Sequence, residues 1–257
     1  MNQVLDTEIF NFLKTTFSKA AVKKVVLAVS GGIDSAVSLT LATRSLGAEN
    51  IFPILLPYDA QTTKDSQLIC EFNHIPKPNL IVIDISKMVD LICSQLHIKD
   101  RLRRGNIMAR VRMITIYDFA KQKNALVVGT ENKSEKYLGY YTRFGDEASD
   151  VEPLQHLYKT EVYQLAEYLQ LPEIFLTKSP SAGLWEEQTD EQELGFTYAN
   201  ADQIIAEYLG EKSKDPKIDE QVRNKVLSRI QSQSFKLAVP YHLQSDTTAQ
   251  QLRIRKL

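Results

Sequence analysis

The residues with the clearest chemical potential are Ala28, Val29, Ser30, Gly31, Gly32, Ile33, Asp34 and Ser35, which continue the apolar run Val25, Val26 and Leu27. A strand that ends in a Ser-Gly-Gly turn, with a helix directly behind it, points converging backbone N–H groups and a partial positive charge at an anion. Lacking side chains, Gly31 and Gly32 let phosphate oxygens approach the main chain closely. Ser30 and Ser35 add hydroxyl donors, and Asp34 adds a hard carboxylate oxygen suited to Mg²⁺. An ordinary βα turn with Ser35 as helix N-cap needs no ligand, so the bare turn leaves both alternatives open. Neither a Gly-Lys-Ser/Thr phosphate loop nor a Gly-x-Gly-x-x-Gly dinucleotide fingerprint occurs in the chain.

A second set of such residues is Gly129-Thr-Glu-Asn-Lys-Ser-Glu135. Thr130 offers a hydroxyl and main-chain groups to a nucleotide, and Glu135 offers a second hard oxygen. A metal that bridges phosphates takes one or two protein carboxylates and keeps several waters, an arrangement that Asp34 and Glu135 match. The plainer alternative is that Glu135 pairs with Lys133 or Lys136 on a solvated loop.

Both sets need elements to position them. An amphipathic pattern predicts a helix over residues 3–20, with Leu5, Ile9, Phe12 and Leu13 near one face. Strand-like runs follow at 25–29, 51–56, 80–84 and 125–129, separated by helical patterns at 35–46, 62–72, 85–96 and 106–123. This alternation predicts an α/β fold with a parallel sheet and right-handed crossovers. Both candidate turns then lie at carboxyl ends of strands, where ligands bind near the switch in strand order. Residues 129–150 read as a long functional loop, 158–169 as a helix ending before Pro172, and 176–193 as irregular. Helices return at 197–209 and 219–230, and the basic tail after Ser245 is expected to fray. No internal repeat is visible, and a fifth strand has no assignable position.

Composition narrows the class. Of 257 residues, 43% are hydrophobic and 25% charged with a net charge of −1, which is ordinary for a globular protein and supplies no basic field for nucleic acid. Cys70 and Cys93 are the only cysteines, so a disulfide framework or zinc ribbon is not expected. The N-terminus lacks a signal pattern and no apolar run reaches spanning length, making a cytoplasmic enzyme without membrane partners the default. His74, His97, His156 and His242 have no metal-ligand spacing, and the basic run 99–104 lacks aromatic neighbours for stacking on bases. Tyr137, Tyr140 and Tyr141 suit either stacking on a ring or packing.

The string Ser30-Gly-Gly-Ile-Asp-Ser35 resembles the PP-loop of the ATP pyrophosphatases, which split ATP between the α and β phosphates. The later series is similar to the NAD synthetase family: Gly129 to Glu135, Gly139-Tyr-Tyr-Thr-Arg-Phe-Gly-Asp146, Asp150, Pro153-Leu154 and Lys159-Thr-Glu-Val162. Supporting strings are Gly105-Asn-Ile-Met-Ala-Arg110, Lys178-Ser-Pro-Ser-Ala182 and Gln188-Thr-Asp-Glu191, so the resemblance spans roughly residues 20–240. It implies a Rossmann-like sheet of the adenine nucleotide alpha-hydrolase type, with helices on both faces and extra C-terminal helices. One domain would cover 1–257, with a core at about 20–170 and a lid and helical part at about 171–257.

The activity implied is the last step of NAD biosynthesis: ATP-dependent amidation of deamido-NAD to NAD through an acyl adenylate attacked by ammonia. By motif position, Ala28 to Ser35, Thr130, Lys159 and Ser181 would bind ATP, with Asp34 and Lys159 catalytic and Asp34 and Glu135 on Mg²⁺. Arg110, Arg143, Asp150 and Lys236 would bind deamido-NAD, at the interface of a homodimer. Free ammonia, or ammonia from a separate protein, is the expected nitrogen donor, because no glutaminase-like residues accompany the motifs. Residues 100–105 and 179–191 are the lid candidates, being polar and irregular in pattern. Three departures stand out: Phe235 and Leu237 where relatives carry His and Arg around a lysine, Arg143 where they often carry Lys, and Ala28 for a common Gly. Rival readings are a PP-loop enzyme acting on tRNA, which predicts a basic surface and paired cysteines, and a regulatory module, against which the acidic and Lys159 positions argue.

Overall fold

A computed structural model describes residues 2–185 and 187–237. Pro240, His242 and the tail after Ser245 lie outside the described residues. Four parallel strands, β1 (Lys24–Ala28), β2 (Ile51–Leu55), β3 (Ile81–Val82) and β4 (Ala125–Val127), pair in the order β3-β2-β1-β4. Val26 sits opposite Phe52 on one side and Val127 on the other. The strands are short apolar runs because both faces are covered. Val25, Leu27, Ile51 and Leu55 face a core with α1 (Asn2–Lys19), α2 (Ile33–Leu46), α3 (Lys64–Phe72), α7 (Lys159–Tyr168) and α8 (Glu173–Thr177). Val26, Phe52 and Ile54 face the opposite core, with α4 (Ser86–Gln95) and α5 (Arg101–Lys123).

This order makes the site. The chain runs outward from β1 to β2 and β3, then returns to place β4 on the other flank of β1. Loops leaving β1 and β4 therefore diverge and open a crevice at the carboxyl edge. The sought fifth strand shrinks to one parallel bridge between Val128 and Val151, where Gly129 N–H donates to the Val151 carbonyl at 2.9 Å. A third apolar cluster joins α6 (Lys133–Leu138), α10 (Tyr198–Tyr208) and α11 (Glu220–Gln233) through Leu138, Ile204, Ile205, Val226 and Ile230. It forms the helical C-terminal part beside the crevice.

Several local expectations need correction. Residues 100–105 are no irregular lid: Asp100 is the N-cap of α5, its carboxylate accepting from Arg103 N–H at 2.7 Å, and Leu and Arg continue the helix readily. Helix α2 starts at Ile33 with Gly32 as N-cap, so Ser35 is not the cap. The long loop 129–150 contains α6, nucleated by a capping box between Asn132 and Glu135. The stretch 176–193 takes in the end of α8 and a short helix, α9 (Asp190–Leu194). The strand expected over 80–84 pairs only at Ile81 and Val82. Among the described residues, no helix is long and apolar enough to cross a membrane.

Candidate active site

The turn after β1 is built by local hydrogen bonds. Ser30 Oγ accepts from Gly32 N–H at 3.2 Å and lies 3.1 Å from Ser35 Oγ, whose hydroxyl donates to the Gly32 carbonyl at 3.0 Å. Gly31 adopts φ +81°, in the left-handed region, and a Cβ there would stand 3.1 Å from Asp65 Cβ and from Ser66 Oγ. Glycine is therefore required both by the backbone and by the approach of α3. Ala28 ends β1 with a negative φ, which alanine adopts without strain. Ser38, one turn into α2, donates to the Gly129 carbonyl at 3.0 Å and ties this turn to the one after β4. Thr130 sits half-buried in that second turn.

Lys159 joins the two turns. Its Nζ lies 2.5 Å from Asp34 Oδ2 and 3.0 Å from Glu135 Oε1, with only 3% of its side chain exposed. Asn132 Nδ2 donates to the other Asp34 oxygen at 2.9 Å. The same Asn132 caps α6 and fixes Glu135, whose N–H donates to Asn132 Oδ1 at 3.0 Å. Burial works against a charged Lys159, but Asp34 and Glu135 outweigh it and hold the ammonium protonated. Burial pushes Glu135 above the glutamate range, Lys159 opposes this, and Asp34 adds to it. The arrangement is two carboxylates converging on one cation position beside the Ser-Gly-Gly turn.

Its support comes from the C-terminal helices. Asp202 of α10 accepts from Thr160 N–H at 2.9 Å and Thr160 Oγ1 at 2.8 Å, and also from the Ser134 hydroxyl. Ser134 Oγ in turn accepts from Lys159 N–H at 2.8 Å. A buried carboxylate thus fixes the first turn of α7, which aims Lys159. Lys159 also lies 5.2 Å from the centroid of the Tyr198 ring, whose hydroxyl donates to Asp190 Oδ2 at 3.0 Å.

A second group gathers on residues 139–146. Arg110 Nη2 donates to the Arg143 carbonyl at 3.2 Å, and the Arg143 Nε is buried with no hydrogen-bond partner. Its guanidinium lies 5.6 Å from the centroid of the Phe235 ring, a cation–π contact. Lys236 Nζ donates to the carbonyls of Gly139 at 2.5 Å and Tyr141 at 2.8 Å. Burial and neighbouring Arg229 lower its pKa. Asp150 is exposed, but one of its oxygens accepts from Val127 N–H at 2.8 Å. Ser181 is exposed and accepts from Gly183 N–H at 3.1 Å, while the next residue, Ala182, donates its N–H to Asp190 Oδ1 at 3.0 Å. Of the three tyrosines, Tyr140 donates to Glu193 Oε2 at 2.9 Å and its ring faces Arg229.

Sequence reasoning gave no role to Asn132, Ser134 and Lys178, though all three lie in its motif strings, and passed over Asp65 and Asp202. Asn-x-x-Glu spacing at 132 and 135 is a capping signal that could have been read. Asp202, flanked by Ala201, Ile204 and Ile205 on an otherwise apolar face, could also have been flagged as a buried acid in need of partners.

Residues 5–240 match the family model described as NAD synthase. The NH(3)-dependent NAD(+) synthetase of Fusobacterium nucleatum is 40% identical over 241 residues, covering 91% of this chain and 92% of that protein. The enzyme of the same name from Thermococcus sibiricus is 42% identical over 214 residues, covering 82% and 83%. Among solved structures, the NH3-dependent NAD synthetase from Campylobacter jejuni superposes with a TM-score of 0.81 at 30% identity, covering 95% of this chain and 99% of that one. An NMN synthetase from Francisella tularensis superposes with a TM-score of 0.83 at 31% identity, covering 96% and 99%. With a family model spanning most of its length and relatives this similar end to end, the chain belongs to the NAD synthase family.

Proposed function

We propose that this protein converts deamido-NAD to NAD with ATP and ammonia, releasing AMP and pyrophosphate. The observation that carries the reading is the Lys159 ammonium held by Asp34 and Glu135 beside the Ser-Gly-Gly turn. A nicotinate carboxylate is resonance-stabilised and anionic, so ammonia does not displace its oxygen. Its oxygen instead attacks the α-phosphorus of ATP, forming an acyl phosphate bond and breaking the bond to pyrophosphate. Ammonia then adds to the acyl carbon, loses a proton, and expels AMP.

This chain's part is positioning and charge. Residues Ala28 to Ser35, Thr130, Lys159 and Ser181 would hold ATP, the backbone N–H groups of the turn facing the departing pyrophosphate. Lys159 exchanges its carboxylate partners for phosphate oxygens as the nucleotide enters. Asp34 and Glu135 fit Mg²⁺: both offer hard oxygens, and both already converge on one cation position. When bound, the metal supplies neutralisation of phosphate charge. Arg110 and Arg143 would bind deamido-NAD, the unpaired Nε of Arg143 being a donor still in search of an acceptor. Asp150 would contribute its free oxygen, and Lys236 would hold the 139–141 backbone that carries Arg143. The chain acts as one domain and as a cytoplasmic homodimer whose partner completes the dinucleotide site.

The test is purified protein with ATP, Mg²⁺, ammonium and deamido-NAD, followed for NAD and AMP. ADP in place of AMP would overturn the mechanism. Faster amidation of nicotinic acid mononucleotide would overturn the substrate, an arm prompted by the NMN synthetase among its neighbours. Asp34→Ala should abolish AMP formation yet fold normally, because Lys159 keeps Glu135 as partner at 3.0 Å.

A further inference from the structure

The turn after β4 carries a buried acidic pair to which the chemistry above gives no task. Glu152 Oε2 accepts from Glu131 N–H at 3.1 Å. Its other oxygen lies so close to Gly129 that a Cβ there would stand 1.8 Å away. The carboxylate thus rests on the Gly129–Glu131 backbone that holds Thr130. Glu131 is 7% exposed, and Gln155 Nε2 donates to its Oε2 at 2.7 Å, whereas its Oε1 is buried with no hydrogen-bond partner. A buried carboxylate oxygen left unpaired is costly, so this one calls for a donor.

The surroundings favour a cation as that donor. Glu152 faces Glu131 and Glu135, and Glu131 faces Glu147 and Asp146. Lys136 acts on Glu131 from a distance, but its ammonium is engaged, donating to Gln155 Oε1 at 2.8 Å. Glu152 and Gln155 also line a cavity of about 390 Å³ against α1, together with Glu8, Ile9, Phe12 and His156. Burial lowers the pKa of His156, so its ring is uncharged at neutral pH and does not offset the acids. Phe12 is 45% exposed and adds an aromatic face, which attracts a small cation at the cavity mouth. Ammonium presents four N–H donors, and Glu131 Oε1 and the Glu152 carboxylate present only acceptors.

We propose that the cavity between α1 and residues 152–156 is the entrance for ammonium, and that Glu152 and Glu131 receive it there. The inference rests on the amide-forming reading above and deepens it by assigning residues to the nitrogen donor. Glu152 takes one proton from the ion: an N–H bond breaks, its electron pair stays on nitrogen, and an O–H bond forms on the carboxylate. Burial pushes the Glu152 carboxyl up to about 8, which makes it a better base for this step than an exposed glutamate. Uncharged ammonia then moves on to the acyl adenylate, and the proton leaves to water through the cavity.

Two rates separate this role from a structural one. NAD formation is measured against ammonium chloride concentration, and exchange of labelled pyrophosphate into ATP is measured with deamido-NAD but no ammonium. Glu152→Gln and Glu131→Gln should each raise the KM for ammonium about tenfold, the loss of one charge-assisted hydrogen bond, while exchange continues at the wild-type rate. Glu8→Lys, on the exposed face of α1, should raise the same KM at low ionic strength, an effect that fades with added sodium chloride. An unchanged KM for ammonium in Glu152→Gln would overturn the proposal. So would a loss of exchange matching the loss of NAD formation, because the pair would then only support the turn. A Glu8→Lys protein with the wild-type KM at low salt would overturn the cavity as the entrance. A wild-type protein without exchange would overturn the AMP-forming reading itself, and this inference with it.

Discussion

Lys159→Met is the most demanding test of how the site is held together. The substitution keeps the length of the side chain but removes an ammonium that touches Asp34 at 2.5 Å and Glu135 at 3.0 Å. Breaking a buried ion pair by removing one partner costs about 3–5 kcal/mol, because the remaining charge stays desolvated. Here two carboxylates are left facing each other, which argues for the full cost. Their side chains are 16% and 17% exposed, however, so water shields part of the repulsion and the lower figure, about 3 kcal/mol, is expected. For a chain of this size that corresponds to a fall in Tm of roughly 6–12 °C. Thermal unfolding without nucleotide, followed by far-UV circular dichroism, measures it. Adding Asp34→Asn to Lys159→Met should recover most of the loss, and excess Mg²⁺ should stabilise the single variant more than wild type. A Lys159→Met protein melting within a degree or so of wild type would refute the argument. A loss that Asp34→Asn does not relieve would show that packing of the stem, rather than charge, holds the site.

Two further outcomes follow from other carboxylates. Glu152, accepting from Ser149 Oγ at 2.7 Å and Glu131 N–H at 3.1 Å, is pushed up to about 8 by burial, and Glu131 to about 7. Both are raised above the unfolded range, so their stabilising contribution is full below that range and is lost as pH rises through the folded values. Stability should therefore fall between about pH 5 and pH 8, and Glu152→Gln should flatten the profile by up to about 1.4 kcal/mol per pH unit, read by urea unfolding at each pH. Asp202→Ala strands the Ser134 and Thr160 donors at the start of α7; it should cost about 2–3 kcal/mol and raise the KM for ATP, whereas a change in Tm alone would show that Asp202 does not aim Lys159.

Much of the framework is legible along the chain. Apolar runs at β1, β2 and β4, separated by helical patterns, predict a parallel α/β sheet, and the structure has one. The Ser-Gly-Gly turn is legible because glycine at position 31 answers to a local need, φ +81°. Less visible are elements whose cause lies elsewhere in the fold. Residues 101–105 look irregular by composition, yet Asp100 caps them into α5. The edge beyond β4 needs only a single bridge at Val151, because Asp150 and Gly129 supply the other hydrogen bonds there.

Lys159 is singled out only by the resemblance to the NAD synthetase family, whereas the sequence by itself determined a glycine turn with hydroxyl donors at 30–35 and hard oxygens at Asp34 and Glu135. Local spacing suffices for this, since a turn or a cap depends on neighbours within a few residues. Only the tertiary structure decided that these parts meet. The strand order β3-β2-β1-β4 sets the turns after β1 and β4 side by side, and Asp202, 43 residues beyond Lys159, fixes the helix start that delivers the ammonium between them. The physical reason is that a buried charge is tolerated only where partners from distant segments converge, and their convergence is a property of the packed fold.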